Sequence, residues 1–422
     1  MNDSSIQIVQ QTSPHLRRRD SLTRMMVDVL IALAPVVIFD LVYFGLDAVR
    51  NILLSVAVMA LCEFIYVLIK NRIPYDGEHH KFGEQLMHGL KAYDINNFLV
   101  PAISGIIFAM CIPAKTTNPT WAIYFIIIVG CVFGMVIGKL VFGGTGHNIF
   151  NPAVVGFIFT KECFGSFYDS WTQHNVVDVN TSGTFLGKGY LTSASPYSKF
   201  SLLDLFLGNT YGTMGEISKY CILIGLAYLL IRRTIDWRVV VSYLGTFCVL
   251  MLFAGIIVHV KTPEIGVFQF LGYQLLSGGV LFGATYMLTD PVTMPITRPS
   301  RIMYGMIAAV ATVFIRLFVN GFNYVYEGVA FSILIANMFA PVLDYPKWST
   351  NAYTWKNILA MALIGVVSIA IVLWALSAKV GLNEPVSSES SSSIGTTTSA
   401  DGSTGPSEAI RLILDSKGIL KL

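Results

Sequence analysis

The chain has 422 residues, of which 54% are hydrophobic and only 13% charged, and its mean hydropathy is +0.64. A soluble domain carries about 25% charged residues, so these proportions exclude a water-soluble globule and a disordered chain and describe a polytopic membrane protein. Lys and Arg number 28 against 25 Asp and Glu; the net charge of +3 and the lack of a single basic stripe argue against nucleic-acid binding.

A membrane-spanning helix needs about 20 mostly apolar residues. In chain order such stretches occupy 25–46, 50–70, 98–113, 121–142, 149–160, 217–231, 239–260, 270–288, 302–319, 327–343 and 356–378. The expected fold is therefore all-α and polytopic, with about 10–11 transmembrane helices. The fifth stretch is short and reads either as a crossing or as a re-entrant half-helix. The first apolar run is too long for a signal-peptide core and lacks a small-residue cleavage pattern, so it is expected to be retained.

Charge orients the chain by the positive-inside rule. With the N-terminus in the cytoplasm and every stretch crossing, the inside segments hold Arg17, Arg18, Arg19, Arg24, Lys70, Arg72, Lys81, Lys91, Arg232, Arg233, Arg238, Arg298, Arg301, Lys347 and Lys356. The short outside turns hold Arg50, Lys115 and Lys261. Were the fifth stretch not to cross, the arginines at 232–238 would move outside; it is therefore read as crossing.

Four regions follow. Residues 1–24 form a cytoplasmic N-terminal segment, and 25–348 a transmembrane core with an external loop at 161–216. Residues 349–380 add a C-terminal helix, and 381–422 are an external tail whose Ser/Thr-rich part reads as a flexible linker. Five stretches before the external loop and, the C-terminal helix aside, five after it suggest two inverted halves.

Three polar constellations interrupt the apolar pattern. Gly143-Gly144-Thr145-Gly146-His147-Asn148-Ile149-Phe150-Asn151-Pro152-Ala153 combines glycines that permit left-handed backbone with a Pro suited to a first helical turn. It reads as a broken element facing a polar cavity, or as a tight turn with an Asn cap. Leu288-Thr289-Asp290-Pro291-Val292-Thr293-Met294-Pro295 sets Asp290 at the end of the eighth stretch, as an ion-path or cofactor-site carboxylate or a helix-end partner of Arg298 or Arg301. Leu191-Thr192-Ser193-Ala194-Ser195-Pro196-Tyr197, by composition alone, is an ordinary external loop. Glu63 lies deep in the second stretch and is the other ion-path candidate; His259, Arg316 and Glu327 sit near stretch ends. The six cysteines form no CxxC pair, and His259 has no second ligand at helical spacing, so no metal or iron–sulfur site is expected.

The order of these motifs, with Ser13-Pro14-His15 before the first stretch, Glu327-Gly328-Val329-Ala330-Phe331 and Asp344-Tyr345, resembles the D subunit of the Rnf ferredoxin:NAD oxidoreductase. More distantly, it is similar to the B subunit of the sodium-pumping NADH:quinone oxidoreductase. The resemblance spans roughly residues 10–348. It implies an electron-carrying subunit of an ion-translocating complex in the bacterial inner membrane, working with partners of the Rnf A, B, C, E and G type. It implies FMN joined through its phosphate to a hydroxyl in the external loop by a flavin transferase, at a motif that usually carries Thr. Here Ser195 occupies the acceptor place, with Thr192 as the alternative. Gly283-Ala284-Thr285 looks similar but lies inside a span, where a transferase could not reach it. Relatives as a class also hold riboflavin; Asn148, Asn151 and Thr289 are the cavity candidates. A secondary transporter or channel without covalent flavin is the competing reading.

Overall fold

The computed structural model describes residues 22–71, 82–114, 120–165, 201–208, 212–261, 263–319, 328–345 and 353–379. The helices are α1 (Leu22–Phe44), α2 (Leu46–Lys70), α3 (Phe82–Lys91), α4 (Asn96–Cys111), α5 (Thr120–Gly138) and α6 (Pro152–Cys163), then short α7 (Leu202–Leu207) and α8 (Met214–Ile217). They continue as α9 (Lys219–Arg232), α10 (Trp237–Lys261), α11 (Val267–Leu276), α12 (Val280–Met287), α13 (Arg298–Phe314), α14 (Gly328–Leu343) and α15 (Trp355–Lys379). The described residues contain no strand. Helices satisfy their backbone groups within one segment where no water is present, and the apolar side chains left exposed on their outer faces, such as Ile38, Leu53, Leu363 and Trp374, suit a lipid surround.

All eleven apolar stretches are helical, but they are not eleven equal crossings. Among the described residues, six helices are long and apolar enough to span, or up to eight if two bent pairs each count as one. The pairs are α3 with α4, bent by 76°, and α11 with α12, bent by 59°. Helix α6 has 12 residues, about 18 Å at 1.5 Å per residue, well short of the hydrocarbon core. Apolar content cannot reveal such breaks, because a bent or short helix buried among others is as apolar as a straight one. The expected external loop also ends earlier than its composition suggests: Thr213, Met214, Gly215 and Glu216 are buried.

The α11–α12 break frees carbonyls that buried cations satisfy. Arg316 donates to the carbonyls of Gln274 (2.7 Å) and Ser277 (3.1 Å), and Lys219 to those of Gly278 and Glu216. Between straighter helices, small residues and hydroxyls set the packing. A Cβ on Gly134 would come within 3.0 Å of the Gly156 backbone, so α5 and α6 touch main chain to main chain. Tyr243, Thr312 and Ser332 link α10, α13 and α14 by hydrogen bonds of 3.1 and 2.7 Å.

The loops expected inside gather at one end. Asp28 accepts from Arg232 (3.2 Å), Lys70 donates to the Gly143 carbonyl (2.9 Å), Thr23 to Asn96 (2.8 Å), and Asp344 accepts from the Ile296 amide (2.8 Å). The Asp28 contact puts Arg232 and Arg233 at the start of α1 whatever the length of α6. Arg50, bonded to the Ala114 carbonyl, and His259, on the Ile265 carbonyl, lie at the opposite end.

Asp236 latches the basic end. It accepts from Arg301 (2.5 Å) and from the backbone and side chain of Arg238. Burial pushes its carboxyl up, but the Arg238 amide and the Arg301 guanidinium outweigh this and hold it below the usual carboxylate value. Its stabilising contribution is thus complete above the unfolded value near pH 4 and is lost as pH falls through the lower folded one. Thermal stability in detergent should drop on acidification below about pH 4, and Asp236→Asn should flatten this dependence while lowering stability at neutral pH by about 1–3 kcal/mol.

Candidate functional site

The turn after α5 folds as its glycines require. Gly143, Gly144 and Gly146 have φ of 118°, 89° and 91°, in the left-handed region open to glycine. The chain then re-enters the bundle through Asn151, whose side chain caps α6 by accepting from the Ala153 amide (3.1 Å), with Pro152 in the first turn. The other end of the Asn151 amide donates to the Met287 carbonyl at 3.4 Å. Met287 is the last residue of a π-turn at Gly283–Met287, closed by the Leu288 amide on the Gly283 carbonyl, a wide turn often found where a helix serves a function. The two polar motifs therefore meet.

Between them lies a cleft into which both motifs reach. Lys139, Asn148, Asn151, Thr285, Thr289 and Asp290 give it a polar side, while Met26, Val29, Ile103 and Leu229 give it an apolar one. It lies at the basic end, beside Thr234. Asn148 donates to the Phe150 carbonyl, and Thr289 to the Thr285 carbonyl at 2.6 Å. Asp290 accepts from the Val292 amide (3.1 Å), which turns the chain at the Pro. Arg301 is engaged by Asp236 and the Pro295 carbonyl; the cation facing Asp290 is Lys139.

Lys139 is the residue that the sequence reading missed. Its ammonium stands 3.1 Å from Glu63, both side chains are 1% exposed, and Thr145 from the glycine turn donates to the second Glu63 oxygen at 2.9 Å. Lys139 thus pairs with Glu63 and lies within electrostatic range of Asp290. A cation inside the apolar run at 121–142 was the available signal, as were Asp28 and Asp40 inside the first run. Arg316 is buried and structural, and His259 is bound to a carbonyl. Ser195, Thr192 and Glu327 lie outside the described residues.

Residues 9–352 match the family described as NQR2, RnfD, RnfE. The chain belongs to this family. It is 30% identical to the D subunit of the Na⁺-translocating ferredoxin:NAD⁺ oxidoreductase complex of Acetobacterium woodii, over 82% of this chain and 94% of that one. It is 28% identical to the D subunit of the proton-translocating ferredoxin:NAD⁺ oxidoreductase complex of Clostridium ljungdahlii, over 79% and 92%. With the B subunit of the Na⁺-translocating NADH-quinone reductase of Chromohalobacter salexigens it shares 34% over 63% of this chain, a match spanning 61% of that longer relative. The matched span of the NQR2, RnfD, RnfE family contains both motifs and every residue of the cleft; helix α15, packed on α10 and α13, lies beyond it.

Proposed function

We propose that this chain is the flavin-carrying membrane subunit of an electron-transport-driven ion pump, relaying electrons between ferredoxin and NAD(H) modules and coupling the relay to Na⁺ or H⁺ movement. The observation that carries the proposal is a family match spanning both motifs, whose polar residues converge with the buried Glu63–Lys139 pair on one cleft. The basic end faces the cytoplasm of the bacterial inner membrane by the positive-inside rule, which leaves the loop containing Ser195 on the outer side. Ser195 accepts FMN as a phosphoester from a flavin transferase, with Thr192 the alternative acceptor. Partner subunits of the Rnf A, B, C, E and G type supply nucleotide and iron–sulfur chemistry, for which this chain has no motif.

The cleft offers a flavin ring amide and hydroxyl groups on one wall and apolar side chains on the other. Asn148, Thr285 and Thr289 would hold its polar edge, and Met26, Val29 and Ile103 would exclude water from its face. Asn151 positions this wall, since both ends of its amide are already engaged. A bound flavin supplies reversible electron transfer; the chain's part is to bind, orient and shield it. Lys139 pairs with Glu63 and lies within electrostatic range of Asp290, so one cation offsets only one of the two negative charges, and a further cation entering near either carboxylate changes the field at the cleft.

The test is intact-mass analysis of the chain co-expressed with a flavin transferase, beside its Ser195→Ala variant. The expected result is a gain of one FMN with in-gel fluorescence, both lost in the variant. A gain that survives in Ser195→Ala moves the acceptor to Thr192. No gain in either chain rejects the flavoprotein reading and favours a transporter or channel.

A further inference from the structure

Asp40 sits in the far half of α1 and is 0% exposed. No donor among the described residues reaches either carboxylate oxygen. Its position follows from the antiparallel packing of α1 on α9. At the basic end, Asp28 meets Tyr228 and Arg232. At mid-height the Tyr286 hydroxyl, which donates to the Ala32 carbonyl, lies against Gly225. Farther on, Phe39 stacks edge-on against Tyr220 at 5.9 Å. This register sets Asp40 level with the chain break between α8 and α9. There Ser218, also 0% exposed, stands at the start of α9 with its hydroxyl turned towards Cys221 and not engaged by Asp40. Cys221, one turn along, is within electrostatic range of Asp40.

Both oxygens of a buried carboxyl thus lack donors, with the Ser218 hydroxyl at the same level of the bundle. An isolated carboxylate is not sustained in an apolar interior; it is neutralised by a cation or by its own proton. The other titratable groups on the elements packed against this part of α1 are Glu216 on α8, Lys219 and Tyr220 on α9, Cys111 on α4, and Asp47 and Arg50 on α2. Arg50 is bonded to Asp47, and Lys219 spans the Glu216 and Gly278 carbonyls. Neither cation bonds the Asp40 carboxylate.

We infer that Asp40 and Ser218 form a monovalent-cation exchange site in the half of the bundle away from the cleft. The carboxyl binds H⁺ or Na⁺ one at a time, one leaving as the other enters, so the site keeps its charge. With Glu63, Lys139 and Asp290 at the basic end, the chain would carry exchangeable acidic groups at two depths. The inference deepens the ion-pump reading and rests on it.

The test is infrared difference spectroscopy of the purified chain with the subunits that accompany it, wild type against Asp40→Asn, titrated with pH and with NaCl. Flavin content is read in the same samples. A protonated-carboxyl band is expected at low pH without Na⁺ and is absent in Asp40→Asn. Its loss on adding Na⁺ at constant pH assigns Na⁺/H⁺ exchange, and loss with pH alone assigns a proton site. Ser218→Ala, which keeps the carboxyl, should move the midpoint about tenfold, or one pH unit. Spectra identical in wild type and Asp40→Asn across about pH 5–10, with and without Na⁺, overturn the inference. Should Asp40→Asn fail to assemble, an unmoved midpoint in Ser218→Ala overturns it alone. A titrating Asp40 band in a chain that binds no flavin would sink the flavoprotein reading and leave the site standing.

Discussion

Replacing Lys139 with Met is expected to destabilise the chain by about 3–5 kcal/mol, the cost of leaving one member of a buried ion pair uncompensated. The geometry motivates that magnitude. Glu63 is as deeply buried as its partner, and Thr145 satisfies only one of its oxygens. The methionine fills the volume of the lysine stem, so the loss is electrostatic and not a cavity effect. Adding Glu63→Gln to Lys139→Met should restore most of the stability, since a buried pair is often replaceable by neutral groups of similar size. Thermal unfolding in detergent, followed by size-exclusion chromatography, measures both. Restored stability with coupled transport still absent would separate the ionic role of the pair from its structural one. If Lys139→Met melts like wild type, the pair does not hold the bundle together.

Asp290→Asn is expected to lower coupled ion transport about tenfold, equivalent to 1.4 kcal/mol, while flavin content stays near that of wild type. Asparagine keeps an oxygen for the Val292 amide and so preserves the turn before α13. What it removes is the negative charge facing Lys139. The check is ion uptake into proteoliposomes driven by electron transfer, normalised to bound flavin. A parallel loss of transport and flavin would identify Asp290 as a folding or cofactor-site residue.

The helical membrane class and the position of each apolar stretch were legible in the sequence because lipid imposes one solution on a run of about 20 apolar residues. The gathering of the basic loops at one end was legible for a similar reason: charge asymmetry is additive along the chain. The meeting of the Gly143 turn with the Thr289-Asp290 segment could be suspected from their broken character. Which group paired with which could not. Beside its ion-path or cofactor-site reading, the only charge partners the sequence offered Asp290 were Arg298 and Arg301, its near neighbours, yet the cation within electrostatic range of it is Lys139, some 150 residues earlier. Lys139 itself was hidden by the apolar context of its helix, although an ionisable residue in such a run is a signal in its own right. The short reach of α6 had no compositional mark, because a buried helix end has the same residues as a buried helix middle, whereas the bend at Ser277 was marked by Gly278 and Gly279 inside the apolar run and was overlooked.

The wide turn at Gly283–Met287 has a consequence for how this region tolerates change. Each residue of an ordinary helix rotates its successor by about 100°. A turn closed from Leu288 back to Gly283 accommodates one residue more than the regular ladder. The direction in which Thr289 and Asp290 leave the helix is therefore a matter of counting, fixed several residues upstream where the extra residue is taken in. Tightening that turn would swing both side chains around the axis without altering either residue or its immediate neighbours. The stretch acts as a phase setter, and a one-residue deletion within it would re-aim the carboxylate as surely as replacing it.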